Sequence, residues 1–198
     1  MAPHVPSLLR AFAFVTVAGL SACRLPKTAT VPKALPPAPG QLASAPLFEW
    51  KGAELGGPLA VRIDLGEQKA QLTRGGQPAG WTYVATGTSS HPTPTGSFRV
   101  SEKVQDKHSN SWGQIVDASG DTVNSNARNG RDRIPRGGRF VGAPMPYWMR
   151  VHGAIGMHAG PIPYPGSPAS HGCIRLPRDM AEILFGVAQI GTPVRIIY

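Results

Sequence analysis

The residue types able to do covalent chemistry gather in the last third of the chain. Cys173 lies in the run Ser170-His171-Gly172-Cys173-Ile174-Arg175, and upstream stands His158 within Gly156-Met157-His158-Ala159-Gly160. A sulfur nucleophile needs a base to raise its thiolate fraction, backbone N–H donors for a developing oxyanion, and a turn that exposes it to substrate. His158 is the candidate base, and pairing with it is expected to bring the thiol several units below its ordinary pKa of ~8.5. The N–H groups of Gly172 and Cys173 are the candidate oxyanion donors, and Gly172 allows close backbone approach. The same side chains admit a second chemistry. His152, His158, His171 and Cys173 are four possible Zn ligands, and His152 and His158 could converge across a strand pair. No Cys-x-x-Cys or His-Glu-x-x-His signature accompanies them, and a metal site leaves the flanking glycines unexplained. His91 and His108 sit in polar, loop-like sequence and are expected at the surface.

The chain holds two cysteines, Cys23 and Cys173. Residues 1–22 carry one formal charge, Arg10, before the apolar run Ala11 to Leu20, then Ser21 and Ala22. About ten apolar residues suit the core of a secretory signal peptide and are short for a membrane span. Leu20-Ser21-Ala22-Cys23 resembles the bacterial lipobox, which implies that Cys23 becomes a lipidated first residue; an ordinary signal peptide with Cys23 incidental is the other reading. Arg24 after it, rather than Asp, implies the outer membrane, so a lipid-anchored periplasmic location is expected. Residues 24–46 are rich in Pro and Ala. Such a segment cannot bury enough apolar surface to offset its ordering entropy, and at ~3.1 Å per residue it would tether a domain some tens of ångströms from the lipid.

Composition narrows the class. With 41% hydrophobic and 16% charged residues the chain can bury a core, and 24 Gly and 21 Pro suit a turn-rich β domain better than a helical bundle. No apolar run reaches the ~18 residues of a membrane span. The net charge of +9 is densest from Arg128 to Arg139, which holds five arginines and one Asp in a Gly-rich stretch. Neither a stacking platform nor a recognition-helix pattern accompanies this charge, so no nucleic-acid partner is expected; an anionic polymer or membrane surface fits it better.

The elements that must position the cysteine and histidine read as strands. Leu59 to Leu65 alternates apolar with polar residues, and Lys69 to Arg74, Trp81 to Thr86 and Phe98 to Val104 do the same between Gly and Pro turn signals. Residues 107–139 have weak periodicity and much Asn, Gly and Ser, which predicts a long loop over the site. Met149 to Val151 and Ile155 to His158 are expected as short strands carrying His158. Pro177 can open a helix, Asp179 suits its first turn, and Met180, Ile183, Leu184 and Val187 form an apolar stripe. Gly191 ends it, and Pro193 to Tyr198 reads as a closing strand.

These motifs together resemble the L,D-transpeptidase catalytic domain of the YkuD family. The resemblance rests on His158 ahead of the Ser170 to Arg175 block. Further matches are Val61-Arg62-Ile63-Asp64-Leu65 with Gln68, Thr86-Gly87, Pro92-Thr93-Pro94-Thr95-Gly96-Ser97-Phe98, and Pro146-Tyr147-Trp148-Met149-Arg150. It implies a mainly β fold, a sandwich-like or barrel-like sheet with one short C-terminal helix. The implied organisation is a signal peptide over 1–22, a lipid-anchored linker over 23–57 and the catalytic domain over 58–198. It further implies that Cys173 is the nucleophile, that His158 is general acid and base, and that the Ala159 carbonyl orients His158. His171, Arg175, Tyr147 and Ser170 are placed at the substrate. Arg175 meets a substrate carboxylate or fixes the fold, and Ser170 has a structural reading beside the substrate one. The implied partners are peptidoglycan stem peptides, with a second stem or an anchored outer-membrane protein as acceptor, and no cofactor is implied. The chemistry would be a Cys173 thioester formed at the L-centre of diaminopimelate with loss of the terminal D-Ala, and the family resemblance also implies acylation by carbapenems. Water in place of an amine acceptor would make the same site an L,D-carboxypeptidase or endopeptidase. A silent cleft would make the chain a non-catalytic wall-binding lipoprotein.

Overall fold

Leu59, Val61 and Ile63 alternate with Ala60, Arg62 and Asp64. In the computed structural model, which describes residues 46–198, they form strand β2 (Leu59–Asp64), with the first set buried. This strand sits within a six-stranded sheet built from β1 (Phe48–Trp50), β3 (Lys69–Arg74), β4 (Gln77–Tyr83), β5 (Gly96–Arg99) and β11 (Pro193–Ile197) as well. The order is β1-β4-β3-β2-β11-β5, and only the β11–β2 pair is parallel. The chain closes on itself here, because β11 slots beside β2 with Val194 opposite Val61 and Ile196 opposite Ile63.

A second sheet of five strands follows the order β10-β9-β8-β6-β7. Its members are β6 (Glu102–Val116), β7 (Thr122–Arg128), β8 (Arg139–His152), β9 (Ile155–Ala159) and β10 (Ile174–Leu176). Side chains from both sheets share one core, with Leu72, Val84, Met149, Met157, Ile174 and Ile196 buried together. Helix α1 (Arg178–Val187) completes that core with Met180, Ala181 and Leu184. Ile183 and Val187, the rest of the stripe, are partly buried against it. The mainly β fold with one short helix agrees with the sequence reading.

Three expectations need correction. The loop predicted over 107–139 is for the most part strand: β6 pairs with β7 on one side and with β8 on the other, and only the connections at their ends are turns. These strands escaped notice because much of their surface is exposed on both faces, so no apolar alternation marks them. The linker expected through residue 57 gives way to structure earlier, since Phe48–Trp50 already pair with β4 and Trp50 packs on the core. Strand β4 begins at Gln77, four residues before the apolar alternation that suggested it. The expected leader, Cys23 and nearly all of the tether lie outside the described residues.

Candidate active site

The parallel pairing of β9 with β10 decides where the two candidate groups meet. His158 stands opposite Arg175 in the register, and Cys173 directly precedes β10. Residues two apart on a strand share a face, so Cys173 and Arg175 project on the side of the sheet that carries His158. Parallel strands require a crossover, and the segment 160–173 supplies it, returning Ser170-His171-Gly172-Cys173 to the head of β10. On its other flank β10 is held by Ala85, whose N–H donates to the Arg175 carbonyl at 3.1 Å and whose carbonyl accepts from Arg175 at 3.0 Å.

The cysteine turn is pinned by short polar side chains. Gly172 adopts φ +112°, where a Cβ would be strained and would also lie 2.8 Å from Ile155 Cδ1. Thr93 Oγ1 donates to the Gly172 carbonyl at 2.7 Å and accepts from the Gly87 N–H at 2.8 Å. Ser170 Oγ donates to the Cys173 carbonyl at 2.5 Å and accepts from the Gly172 N–H at 3.1 Å. The Ala169 and Ser170 N–H groups both donate to the Thr86 carbonyl. Thr86 is held in turn by the buried carboxamide of Gln68, a residue whose own φ is +52°. The segments Thr86-Gly87 and Pro92-Thr93, given by sequence only as matches to the family, therefore fix the cysteine loop.

Cys173 and His158 line one cavity of about 260 Å³, with Arg175, Met145, Pro144 and Trp112 among its walls. Cys173 also lines a second cavity of about 250 Å³ on the side of Lys107, His108 and Ile155. Trp112 and His171 border both, their rings stacked at 3.8 Å and 12° from parallel. Trp112 reaches this place because β6 breaks register with β8 between His108 and Gly113, and Ser109 Oγ accepts the Trp112 N–H at 3.0 Å. His91 packs edge-on against both rings of the stack.

The electrostatics differ from the sequence expectation. His158 Nδ1–H donates to the Ala159 carbonyl at 2.8 Å, which leaves Nε2 as the proton-accepting atom. Burial holds the imidazole down at about 4, a shift that Arg175 reinforces and the Ala159 carbonyl opposes. Burial pushes the Cys173 thiol up, and only partial opposition comes from the Gly156 N–H and the Arg175 charge. The thiol donates to the Ala154 carbonyl at 3.8 Å rather than to His158. The resting pair is therefore neutral thiol and neutral imidazole, and the depressed thiol pKa expected from sequence is overturned by desolvation. Burial also lowers His171, as do the neighbouring His91 and Arg175.

Other expected site residues fall in different places. The Gly172 N–H is turned to Ser170 Oγ, so it does not face an incoming carbonyl, a correction to its oxyanion role. Ser170 is buried and ties the loop together. Tyr147, expected at the substrate, adopts φ +59° and turns its ring to Phe185 and Arg178 of α1, with Glu182 pushing its pKa up. His152 is exposed and packs on Phe98, and among the described residues no three His, Cys, Asp or Glu side chains cluster to hold a metal. Two residues near the sulfur were missed by sequence. Trp112 is an aromatic alone in a Ser-, Asn- and Gly-rich stretch that supplies no core for it, and that isolation was the available signal. His91 carried none.

Residues 58–196 match the model of the L,D-transpeptidase catalytic domain, YkuD. The chain belongs to this family. Solved structures agree in fold. The LD transpeptidase LdtMt1 in complex with imipenem is 24% identical, with TM-score 0.53, over 72% of this chain and 60% of that one. The L,D-transpeptidase from Mycobacterium smegmatis is 19% identical, with TM-score 0.54 over the same shares. That of Enterococcus faecium, solved as a Cys-to-Ser mutant, is 25% identical, with TM-score 0.53, over 72% of this chain and 50% of that one. This chain thus spans between 50% and 60% of the length of these relatives. Comparison with curated proteins gives no significant match.

Proposed function

We propose that the domain is a transferase that moves a peptidoglycan stem peptide from a tetrapeptide donor to an amine acceptor through a Cys173 thioester. The observation that carries this reading is the sulfur's position at the meeting of two cavities that share the Trp112–His171 stack as a wall. Transfer between two peptides needs two approaches to one acyl group, whereas hydrolysis needs one approach and water.

In the first step Cys173 Sγ attacks the carbonyl at the L-centre of diaminopimelate. Its proton passes to His158 Nε2 as the S–C bond forms, since the resting thiol is neutral. With the Gly172 N–H engaged by Ser170, the Cys173 N–H is the donor assigned to the oxyanion. The amide C–N bond then breaks, and His158 returns the proton to the departing D-Ala amine. In the second step the acceptor amine attacks the thioester and His158 takes its proton; the C–S bond breaks, and His158 passes the proton to the departing Sγ, which restores the neutral pair. Arg175 is the one permanent charge lining the donor cavity, and its guanidinium suits a stem carboxylate. Burial is the main force that holds His158 down, and neutralising Arg175 would relieve the smaller pull that this charge adds.

Digestion products decide between transferase and hydrolase. Muropeptides incubated with purified protein should yield dimers joined through two diaminopimelate residues, and tripeptides alone would establish the hydrolase. The leader motif supports a further part of the reading, that Cys23 is lipidated and tethers the domain at the outer membrane facing the murein. Metabolic labelling with an alkyne fatty acid, lost in Cys23→Ser, tests it.

A further inference from the structure

Behind the reactive pair lies a buried indole that packs beside the base and against Gly156. Trp148 of β8 is 1% exposed. Its ring lies 6.0 Å, centroid to centroid, from the His158 imidazole at a tilt of 32°. The benzo edge of the same ring lies against Gly156, where an added Cβ would fall 2.6 Å from Cη2 and 2.8 Å from Cζ2. Gly156 is the residue whose N–H pulls down the Cys173 pKa. One side chain thus backs the base and the strand position that addresses the sulfur.

What fixes the indole is its single polar atom. Trp148 Nε1–H donates to Glu102 Oε2 at 2.9 Å. The carboxylate is itself gripped by Arg150, Nε at 3.1 Å and Nη2 at 2.8 Å, from the position directly opposite it across the β6–β8 pair. Lys107 and Arg150 each stand 5.7 Å from the Trp148 ring. The Trp148 and Arg150 donors hold Glu102 below the usual carboxylate range. An indole free to rotate about its side-chain torsions would leave room beside His158 and remove the wall behind Gly156. A bond to the N–H selects one orientation.

We propose that Glu102 is a positioning residue for the Cys173–His158 pair, acting through the Trp148 indole. This rests on the thiol reading given above, but it concerns the geometry of the pair and not the identity of the substrate. Glu102 touches neither sulfur nor imidazole, so its effect must travel through the groups it binds, Trp148 and Arg150, and a double-mutant cycle with Trp148 isolates the indole path.

The test uses the full chain and follows carboxamidomethylation of Cys173 by iodoacetamide, mapped by mass spectrometry across pH 6–10, alongside thermal melts. Glu102→Leu should move the pH midpoint of alkylation by more than half a pH unit and lower turnover of a tetrapeptide stem at least tenfold, with KM changed less than threefold. Trp148→Phe keeps an aromatic ring but has no N–H, and it should reproduce both effects. The Glu102→Leu/Trp148→Phe pair should be no worse than either single change. Glu102→Gln retains an oxygen for the indole and should restore the wild-type profile. The proposal is overturned if the alkylation profile of Glu102→Leu superimposes on wild type while its melting temperature falls, which is the signature of a residue that only stabilises the fold. It is equally overturned if Glu102→Gln behaves as Glu102→Leu, or if the two single effects add. Failure of the thiol reading itself would show separately, as wild-type protein that turns over stems after Cys173 is fully alkylated.

Discussion

Burial of His158 should cost the fold stability in acid. Its ordinary pKa of 6.5 falls to about 4 in the fold because burial penalises the imidazolium. In the unfolded chain the ring protonates near 6.5, so between that value and about 4 the unfolded state binds the extra proton and the native state does not. Stability therefore rises with pH through this window and is lost as pH falls. At about 1.4 kcal/mol per pH unit, the difference amounts to about 3 kcal/mol by pH 4. His158→Gln keeps an amide donor for the Ala159 carbonyl and cannot titrate. Urea unfolding of both proteins at intervals from pH 7.5 to 4 isolates the contribution, because every other group titrates in both. The wild type should lose about 3 kcal/mol more than the variant, nearly all of it below pH 6.5. Parallel curves would refute the reasoning, showing that the imidazole is hydrated or accepts its proton in the native state.

Other outcomes follow from the same geometry. Thr93→Val preserves shape but leaves the buried Gly172 carbonyl and Gly87 N–H without their partner. It should cost about 2–4 kcal/mol by chemical denaturation and lower stem turnover as the cysteine turn loosens. Arg175→Gln removes the cation beside the donor cavity and should raise KM for a carboxylate-bearing stem roughly 10- to 100-fold, with a much smaller effect on an amidated one. Trp112→Ala takes away part of the wall that the cavities share and should raise the ratio of tripeptide to cross-linked dimer in product analysis, while the melting temperature moves little because the side chain is only half-buried.

The sequence was most legible where one face of a strand is buried. Val61, Ile63, Lys69 to Arg74 and the C-terminal stripe of α1 obey simple periods, and the structure places them accordingly. Strands β6 and β7 follow no such period, because they extend into solvent and are held by backbone pairing with each other and with β8. The turn around Gly172 was readable as a place needing glycine, but the direction of its N–H depends on Ser170 Oγ, which no spacing reveals. Tyr147 misled for a similar reason: a left-handed backbone swings it to α1, away from the cavity that its neighbours in the motif suggested. Charge states were the least legible. Proximity of Cys173 and His158 in a motif suggested an ion pair, whereas desolvation of both groups, a property of the packed core, keeps each neutral.

The central claim is that Cys173 carries the acyl group between donor and acceptor. Intact-protein and peptide mass spectrometry after brief incubation with a tetrapeptide stem measures this most directly. The account predicts an adduct equal to the stem less its terminal D-Ala, located on Cys173, labile to hydroxylamine, and absent in Cys173→Ala. Consumption of the stem with no adduct on Cys173, or undiminished turnover by Cys173→Ala, would contradict it.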